Sequence, residues 1–118
     1  MFNAGEVDRF LSGELGRVLV IENEGTATSL SVESTGYGHS IAYVPVVGDS
    51  QFDIERALSH SACAAQFKKD SHHIVVEIRD RPQFYAVLKI ALNHLGWLDE
   101  KSLKKSYSSL LPVERLAS

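Results

Sequence analysis

One cysteine and five histidines supply the residue types that bind transition metals or act as nucleophile and base. His60 and Cys63 lie on one side of a predicted helix, and His72 and His73 follow shortly after it. A zinc site needs three or four converging ligands, whereas adjacent residues of a strand point to opposite faces. We therefore expect no metal and no cofactor, with His60, Cys63 and one later histidine as the alternative metal site.

The Cys63 thiol would need a lowered pKa to act as a nucleophile beside His60. A mid-helix position lacks the N-terminal dipole that lowers a thiol pKa. At 100° per residue, Cys63 also lies opposite Ile54, which we take to face the core. We predict an exposed or partner-facing thiol.

Three acidic residues around one predicted hairpin could provide paired carboxylates for acid–base chemistry: Glu22, Glu24 and Glu33. Acidic hairpin ends are common for solubility alone, so we predict no catalytic residues and no enzyme. This expectation rests on the absence of a convincing set of catalytic groups.

The glycine pair Gly36-x-Gly38 lacks a third glycine and is followed by a strand, whereas phosphate-binding loops lead into a helix N-terminus. His39-Ser40 has no G-x-S-x-G context. A small metal- or metabolite-binding enzyme that uses the Tyr37–Ser40 turn and nearby histidines stays open as an alternative.

With 118 residues and a mass of 13.0 kDa, the chain fits a single α+β domain over residues 1–118. The net charge is −3, and the composition is that of a globular domain. No basic start with a long apolar run and no bilayer-length apolar stretch is present. We expect a cytoplasmic protein with no membrane partner.

Hydrophobic spacing predicts the order α-β-β-β-α-β-α-α: an antiparallel three-strand meander, a fourth strand, and helices packed on the sheet. The strand over residues 15–22 is apolar at nearly every position, which predicts burial on both faces. The predicted helices cover residues 5–13, about 50–69, 80–95 and 98–111, and the predicted strands residues 15–22, 26–34, 40–47 and 72–79.

Helix boundaries are indicated by residues that cap or end helices. Ser50 with Asp53 resembles a capping box, and Asp80 can cap the next helix with Gln83 three residues on. Gly96 is the predicted end of that helix.

The helix after Pro82 carries a second apolar stripe at Ala86 and Ile90, continued by Trp97. An apolar stripe must be covered. The last predicted helix would cover it through Leu103, Tyr107 and Leu110, with another protein chain as the alternative.

Charge is divided along the chain. Residues 1–67 hold three arginines against nine acidic residues, a net charge of −6, and residues 68–118 hold nine basic residues against six acidic ones, a net charge of +3. The basic half carries no nucleic-acid recognition motif, so we do not expect nucleic acid as a partner. The acidic half fits electrostatic capture of a basic protein.

The predicted partner contacts combine this acidic half with an interface-like strip of Arg56, His60, Cys63 and Phe67 on the central helix. The predicted partner-binding residues are Glu22, Glu24, Glu33, Asp49, Asp53, Glu55, Arg56, His60 and Phe67.

In size, charge and element order, the chain resembles two classes of protein. Bacterial immunity proteins are small and acidic and neutralise a cognate toxin. Secretion chaperones are small acidic homodimers that open helix–three strands–helix and place two strands between the second and third helices, where this sequence predicts one. The sequence therefore favours an immunity protein that binds a basic toxin or effector, with a homodimeric secretion chaperone as the alternative.

Overall fold

The computed structural model of the protein describes residues 2–25, 28–95, 97 and 100–109. The described residues form three α-helices and six strands, with a short 3-10 helix at Glu100–Ser102 before the last strand. Their bounds in chain order are α1 Ala4–Leu11, β1 Val18–Asn23, β2 Ser29–Ser34, β3 Ser40–Pro45, α2 Gln51–His60, β4 Ala65–Lys68, β5 His73–Ile78, α3 Arg81–His94 and β6 Leu103–Ser108.

The strands form one antiparallel sheet in the order β4-β5-β3-β2-β1-β6. The single α+β domain predicted from the sequence is confirmed, with a meander of β1, β2 and β3 at its centre. The pairing register brings the strand termini together at two ends of the sheet. We call these the Val18 end, which includes Ser34, Ser40 and Ile78, and the Asn23 end, which includes Pro45, His73 and Lys68.

Side chains alternate between the two faces of the sheet. One face, the helix face, shares a single core with all three helices through residues such as Leu19, Val32 and Val76. The other, the second face, carries Ile41, Tyr43 and Val75 along with Val18 and Val20. β1 is buried at Val18 through Ile21, so the prediction that this strand is apolar on both sides is confirmed.

A side-chain cap was predicted at the start of two helices, α2 and α3, and only that of α3 is formed. The Asp80 carboxylate accepts a hydrogen bond of 2.9 Å from the Gln83 amide, so the predicted cap of α3 is confirmed. The predicted Ser50–Asp53 capping box is wrong. Ser50 makes no side-chain cap bond, because its hydroxyl instead donates to the Val47 carbonyl at 2.7 Å.

α2 ends at His60, well before the predicted boundary near residue 69. The Cys63 amide donates to the Leu58 carbonyl and the Ala62 amide to the Ser59 carbonyl, at 3.0 and 3.1 Å. This pair of bonds is a Schellman ending, which requires a left-handed residue after the C-cap. Ala62 takes that role with φ of 57°. Glycine is usual at this position, so the end of the helix is not marked by residue type. The residues that follow form β4.

The last predicted helix is also wrong within the described residues, because Leu103 and Tyr107 belong to β6. The apolar stripe of α3 is nevertheless covered within the chain. Ile90 and Trp97 are buried in the core, and the Trp97 indole donates to the Thr28 hydroxyl at 2.8 Å. The predicted contact of Leu110 and the predicted helix end at Gly96 lie outside the described residues.

None of the helices that the structure describes has the length and apolar character required to cross a membrane.

Candidate protein-binding site

The prediction that Cys63 is exposed or faces a partner is wrong. Its side chain is only 7% exposed, because the Schellman ending of α2 turns it into the core beside Leu58. Burial, with a smaller contribution from the charge of Asp80, raises the pKa of the Cys63 thiol. A buried thiol that stays protonated at neutral pH is a poor nucleophile and a poor metal ligand.

Metal-binding residue types do not converge. Among the described residues, no group of three or more His, Cys, Asp and Glu side chains is placed to hold an ion. His60 is exposed at the end of α2, and His72 lies in the β4–β5 turn with φ of 53°. The His73 ring nitrogen Nδ1 lies 2.6 Å from the Ser71 carbonyl, so that ring is held by its own turn.

The three hairpin carboxylates are not brought to one point. Glu33 pairs with Val18 in the register, four residues along β1 from Glu22, a separation of about 13 Å. Arg17 forms an ion pair of 3.5 Å with the Glu33 carboxylate, and the Tyr43 hydroxyl donates a hydrogen bond of 3.4 Å to it. Burial, followed by the charge and hydrogen bond of Glu33, raises the pKa of Tyr43.

The Tyr37–Ser40 turn presents an aromatic side chain on a well-anchored loop. Tyr37 is 90% exposed between two glycines with φ of 83° and 82°, and the Gly38 amide donates to the Leu11 carbonyl at 3.2 Å. Ser40 is fully buried, and its hydroxyl has no hydrogen-bond partner in the part of the chain that the structure describes. A buried hydroxyl cannot attack a substrate held at the surface.

Most of the predicted acidic contacts lie at the Asn23 end of the sheet. Glu22 and Glu24 line a polar cavity of about 360 Å³ there, together with Lys104. Asp49 follows β3 at the same end, and Asp53 lies in the first turn of α2. Glu22, on β1, is therefore about two strand spacings, roughly 10 Å, from the end of β3.

Three other predicted partner-binding residues, Glu55, Arg56 and Phe67, do not belong to this acidic group at the Asn23 end. Glu55 accepts a hydrogen bond of 3.0 Å from the Gln51 side chain on α2, and Arg56 is exposed on the same helix. Phe67 is not on α2 as predicted: it lies on β4, partly buried against the core, with its ring centroid 6.5 Å from that of His72. The predicted strip on the central helix therefore does not exist as one surface, because Cys63 and Phe67 both follow the end of the helix.

The acidic and basic halves of the sequence interleave in space. β6, from the basic half, pairs with β1, from the acidic half, so that Lys104 lies opposite Glu22. Lys105 on the same strand forms an ion pair of 2.6 Å with Glu6 on α1. Neighbouring charges of opposite sign weaken the field that each half would project alone.

Beside β4, a groove with a mostly apolar lining opens on the second face at the Val18 end of the sheet. Its volume is about 430 Å³, within the range of sites that bind ligands or side chains of a partner. Ile41, Val75 and Ala64 provide apolar surface, and Glu77 at its rim is paired with Arg79 at 3.2 Å. We call it the β4 groove; its lining residues are Thr35, His39, Ser40, Ile41, Ala64, Ala65, Gln66, Val75 and Glu77.

Phe52 is a second exposed aromatic residue that the sequence analysis missed. Its side chain is 72% exposed near the start of α2, and Val47 in the preceding loop is exposed too. Helical spacing could have predicted this exposure. Two residues of a helix span about 200°, so Phe52 lies on the side opposite the buried Ile54. Exposed aromatic side chains are the residue type most enriched in protein interfaces.

No family model, no curated protein and no solved structure matches this chain.

Proposed function

We propose that the protein is a non-catalytic protein-binding module, and that it acts as a secretion chaperone that holds a partner protein. The element order is the observation that supports this assignment. From α1 to α3 the order is α-β-β-β-α-β-β-α, with β4 and β5 between the second and third helices. That is the arrangement of the chaperone class, and the missing strand that counted against the resemblance is supplied by β4. β6 extends the sheet beyond that pattern.

The chemistry of the surface supports binding over catalysis. Cys63 and Ser40 are buried and Glu33 lies at the other end of β1 from Glu22, whereas Phe52 and Tyr37 are presented to solvent. A protein that exposes aromatic side chains while its candidate nucleophiles are buried fits a binding module.

Membership of the chaperone class predicts a homodimer, and Phe52 with Val47 is the exposed apolar surface on which we place its contact. Light scattering on a size-exclusion column should give twice the 13.0 kDa of one chain. Phe52→Ser should shift the protein towards the mass of one chain, whereas the matched variant Tyr37→Ser should leave the dimer intact. The mass of one chain for the unsubstituted protein at every concentration would remove the chaperone assignment.

An immunity protein is the second candidate, and one observation favours it. Glu22 and Glu24, Asp49 and Asp53 all lie towards the Asn23 end of the sheet, where they could meet a basic toxin. Electrostatic steering of such a partner depends on salt, because the screening length falls from about 8 Å at physiological ionic strength to about 3 Å at 1 M.

Salt therefore distinguishes the two candidates. The partner that co-purifies from the native host should remain bound in 1 M salt if apolar contacts dominate, as the chaperone proposal expects. An immunity protein should show an association rate that falls steeply with salt, and a further fall when Glu22 and Glu24 are changed to Gln. Glu14→Gln is the control, because Glu14 is exposed and paired with Arg9 away from that end.

A further inference from the structure

β4 is the edge strand of the sheet, and its main-chain groups can be assigned a direction. The Glu77 amide donates to the Ala64 carbonyl at 2.9 Å, so Ala64 turns its main-chain groups towards β5. These directions alternate along an antiparallel strand, and the register continues from Ala65 opposite Val76 to Lys68 opposite His73. The amide and carbonyl groups of Ala65 and Phe67 therefore point away from the sheet. They are the groups to which an additional strand would bond.

The charges along β4 indicate what kind of strand would pair there. Lys68 and the following Lys69 are exposed, and neither forms an ion pair with any residue that the structure describes. Both lie at the Asn23 end of the strand, whereas Ala64 and Ala65 at the other end border the apolar β4 groove. The edge is thus basic at one end and apolar at the other.

A second copy of the chain is a poor occupant of this edge. In a two-fold antiparallel pairing through Ala65 and Phe67, Lys68 would face Ala64 of the other copy and Lys69 would face the buried Cys63. Neither lysine would meet a carboxylate. A short edge strand with an exposed lysine is a common protection against pairing between identical chains.

We propose that β4 binds an extended segment of the partner protein by strand addition, with acidic residues of that segment beside Lys68 and Lys69 and an apolar residue in the β4 groove. The inference rests on the proposed function and specifies the chemistry of the partner. Main-chain bonds to Ala65 and Phe67 hold the segment, and the charges fix its direction and register.

The test uses the full chain and a synthetic peptide of about eight residues, long enough for one strand, with two glutamates followed by alternating valine and threonine. In an antiparallel pair the glutamates reach the lysines. Titration of the ¹⁵N-labelled protein should shift the Ala65 and Phe67 amide signals and slow their hydrogen exchange. A peptide with lysine in place of glutamate should bind about tenfold more weakly, because two favourable charge pairs become repulsive.

Two protein variants separate the main-chain contribution from the charges. Ala65→Pro removes an outward amide and keeps the bonds to β5, so it should abolish binding while the β5 amide signals stay unchanged. Lys68→Glu with Lys69→Glu should reverse the preference, so that the lysine peptide binds better than the glutamate peptide. The matched control changes two exposed basic residues on the helices, Arg9→Glu with Lys89→Glu, and should leave both affinities unchanged.

The proposal is overturned if neither peptide binds, if both bind equally, or if binding shifts other amides and leaves Ala65 and Phe67 unaffected. This outcome is distinct from failure of the chaperone assignment, which is decided by the mass of the protein in light scattering. A monomer that binds the glutamate peptide at β4 would keep the strand addition and remove the chaperone class. A dimer that does not bind the peptide would keep the chaperone assignment and remove the strand addition.

Discussion

The hydroxyl of Tyr107, on the last strand, donates a hydrogen bond of 2.6 Å to the Glu6 carboxylate on the first helix. Lys105 binds the same carboxylate with Nζ–oxygen distances of 2.7 and 2.6 Å. Its ammonium group also lies 4.6 Å from the centre of the Phe2 ring. These contacts join α1 to β6 across 101 residues of sequence, and we call the three hydrogen-bonded side chains the Glu6 cluster.

Removal of the charge of Glu6 should destabilise the fold. Glu6→Gln keeps the size of the side chain but loses the charge-assisted bonds, at a cost of about 1 to 3 kcal/mol in the free energy of unfolding. Urea denaturation at neutral pH measures it. Glu14→Gln is the control: the Glu14–Arg9 pair is more than half exposed, so its loss should cost less than about 0.5 kcal/mol.

The Glu6 cluster also predicts how stability depends on acid. Burial opposes ionisation of Glu6, but the hydrogen bonds of Lys105 and Tyr107 and the charge of Lys105 prevail and lower its pKa from the ordinary 4.5. A carboxylate with a lowered folded-state pKa stabilises above its unfolded-state pKa, and that contribution is lost as the pH falls through the folded-state value. The difference in stability between wild type and Glu6→Gln should shrink below about pH 4.5. A constant difference down to pH 3 would contradict it.

At alkaline pH, Tyr107 should become the weak point. Burial, then the hydrogen bond and charge of Glu6, raise the pKa of Tyr107 above its ordinary value of 10.0. Because the raised value belongs to the folded state, the unfolded chain loses this proton first, and stability falls as the pH rises above 10.0. Tyr107→Phe should be less stable than wild type at neutral pH and lose less stability between neutral pH and pH 11.

Ala62→Gly should stabilise the protein. An L-residue in the left-handed region costs about 1 to 2 kcal/mol, and the entropy that glycine adds to the unfolded chain returns part of it, which leaves a gain of about 0.5 to 1 kcal/mol. Ala62 is in this left-handed region, with φ of 57°. Ala57→Gly, inside α2, should have the opposite sign. Thermal denaturation of both variants checks the prediction, and a loss of stability in both would show that Ala62 is not strained.

The bond from Trp97 to Thr28 can be followed by fluorescence, because Trp97 is the one tryptophan of the chain. Thr28→Val keeps the shape and removes the acceptor for a buried indole, at a cost of about 1 to 3 kcal/mol. The tryptophan fluorescence emission of the folded protein should also change in this variant. In the background of Trp97→Phe, which has no donor, Thr28→Val should cost much less; an equal cost would mean that another contact of Thr28 is responsible.

The sequence predicts the centre of the sheet well because local signals and tertiary contacts agree there. Alternation placed Leu30 and Val32 on one side of β2 and Ala42 and Val44 together on β3, and all four are in the core. The Asp80 cap of α3 depends only on residues within one turn. Such features need no knowledge of distant contacts.

The two strands that the sequence analysis missed depend on contacts that are not local. β4 is specified by its pairing with β5, after a helix end that carries alanine at the position usually taken by glycine. In β6, Leu103 and Tyr107 are four residues apart, a spacing that places them on one side of either a helix or a strand. Pairing with β1, which is distant in the sequence, makes this segment a strand.

In the candidate site, too, some features can be predicted from the sequence and others depend on contacts between distant residues. Acidic residues such as Glu22 and Glu24 are visible in the sequence as charges, but Lys104 opposite Glu22 is known only from the pairing of β6 with β1. The β4 groove was not predicted at all, because it requires β3, β5 and β4 to be adjacent. Phe67, predicted for its residue type on a helix, lies on the strand that borders this groove.

The position of β6 has a consequence for the order of events during synthesis. β1 is apolar on both sides, and its outer edge is paired only by residues near the C-terminal end of the described chain. The meander and α2 emerge from the ribosome first, so β1 is an unpaired edge that can join other chains until Leu103–Ser108 arrives. We expect a chain cut after Ser102 to aggregate, whereas Lys104 and Lys105 give the completed sheet a charged outer strand.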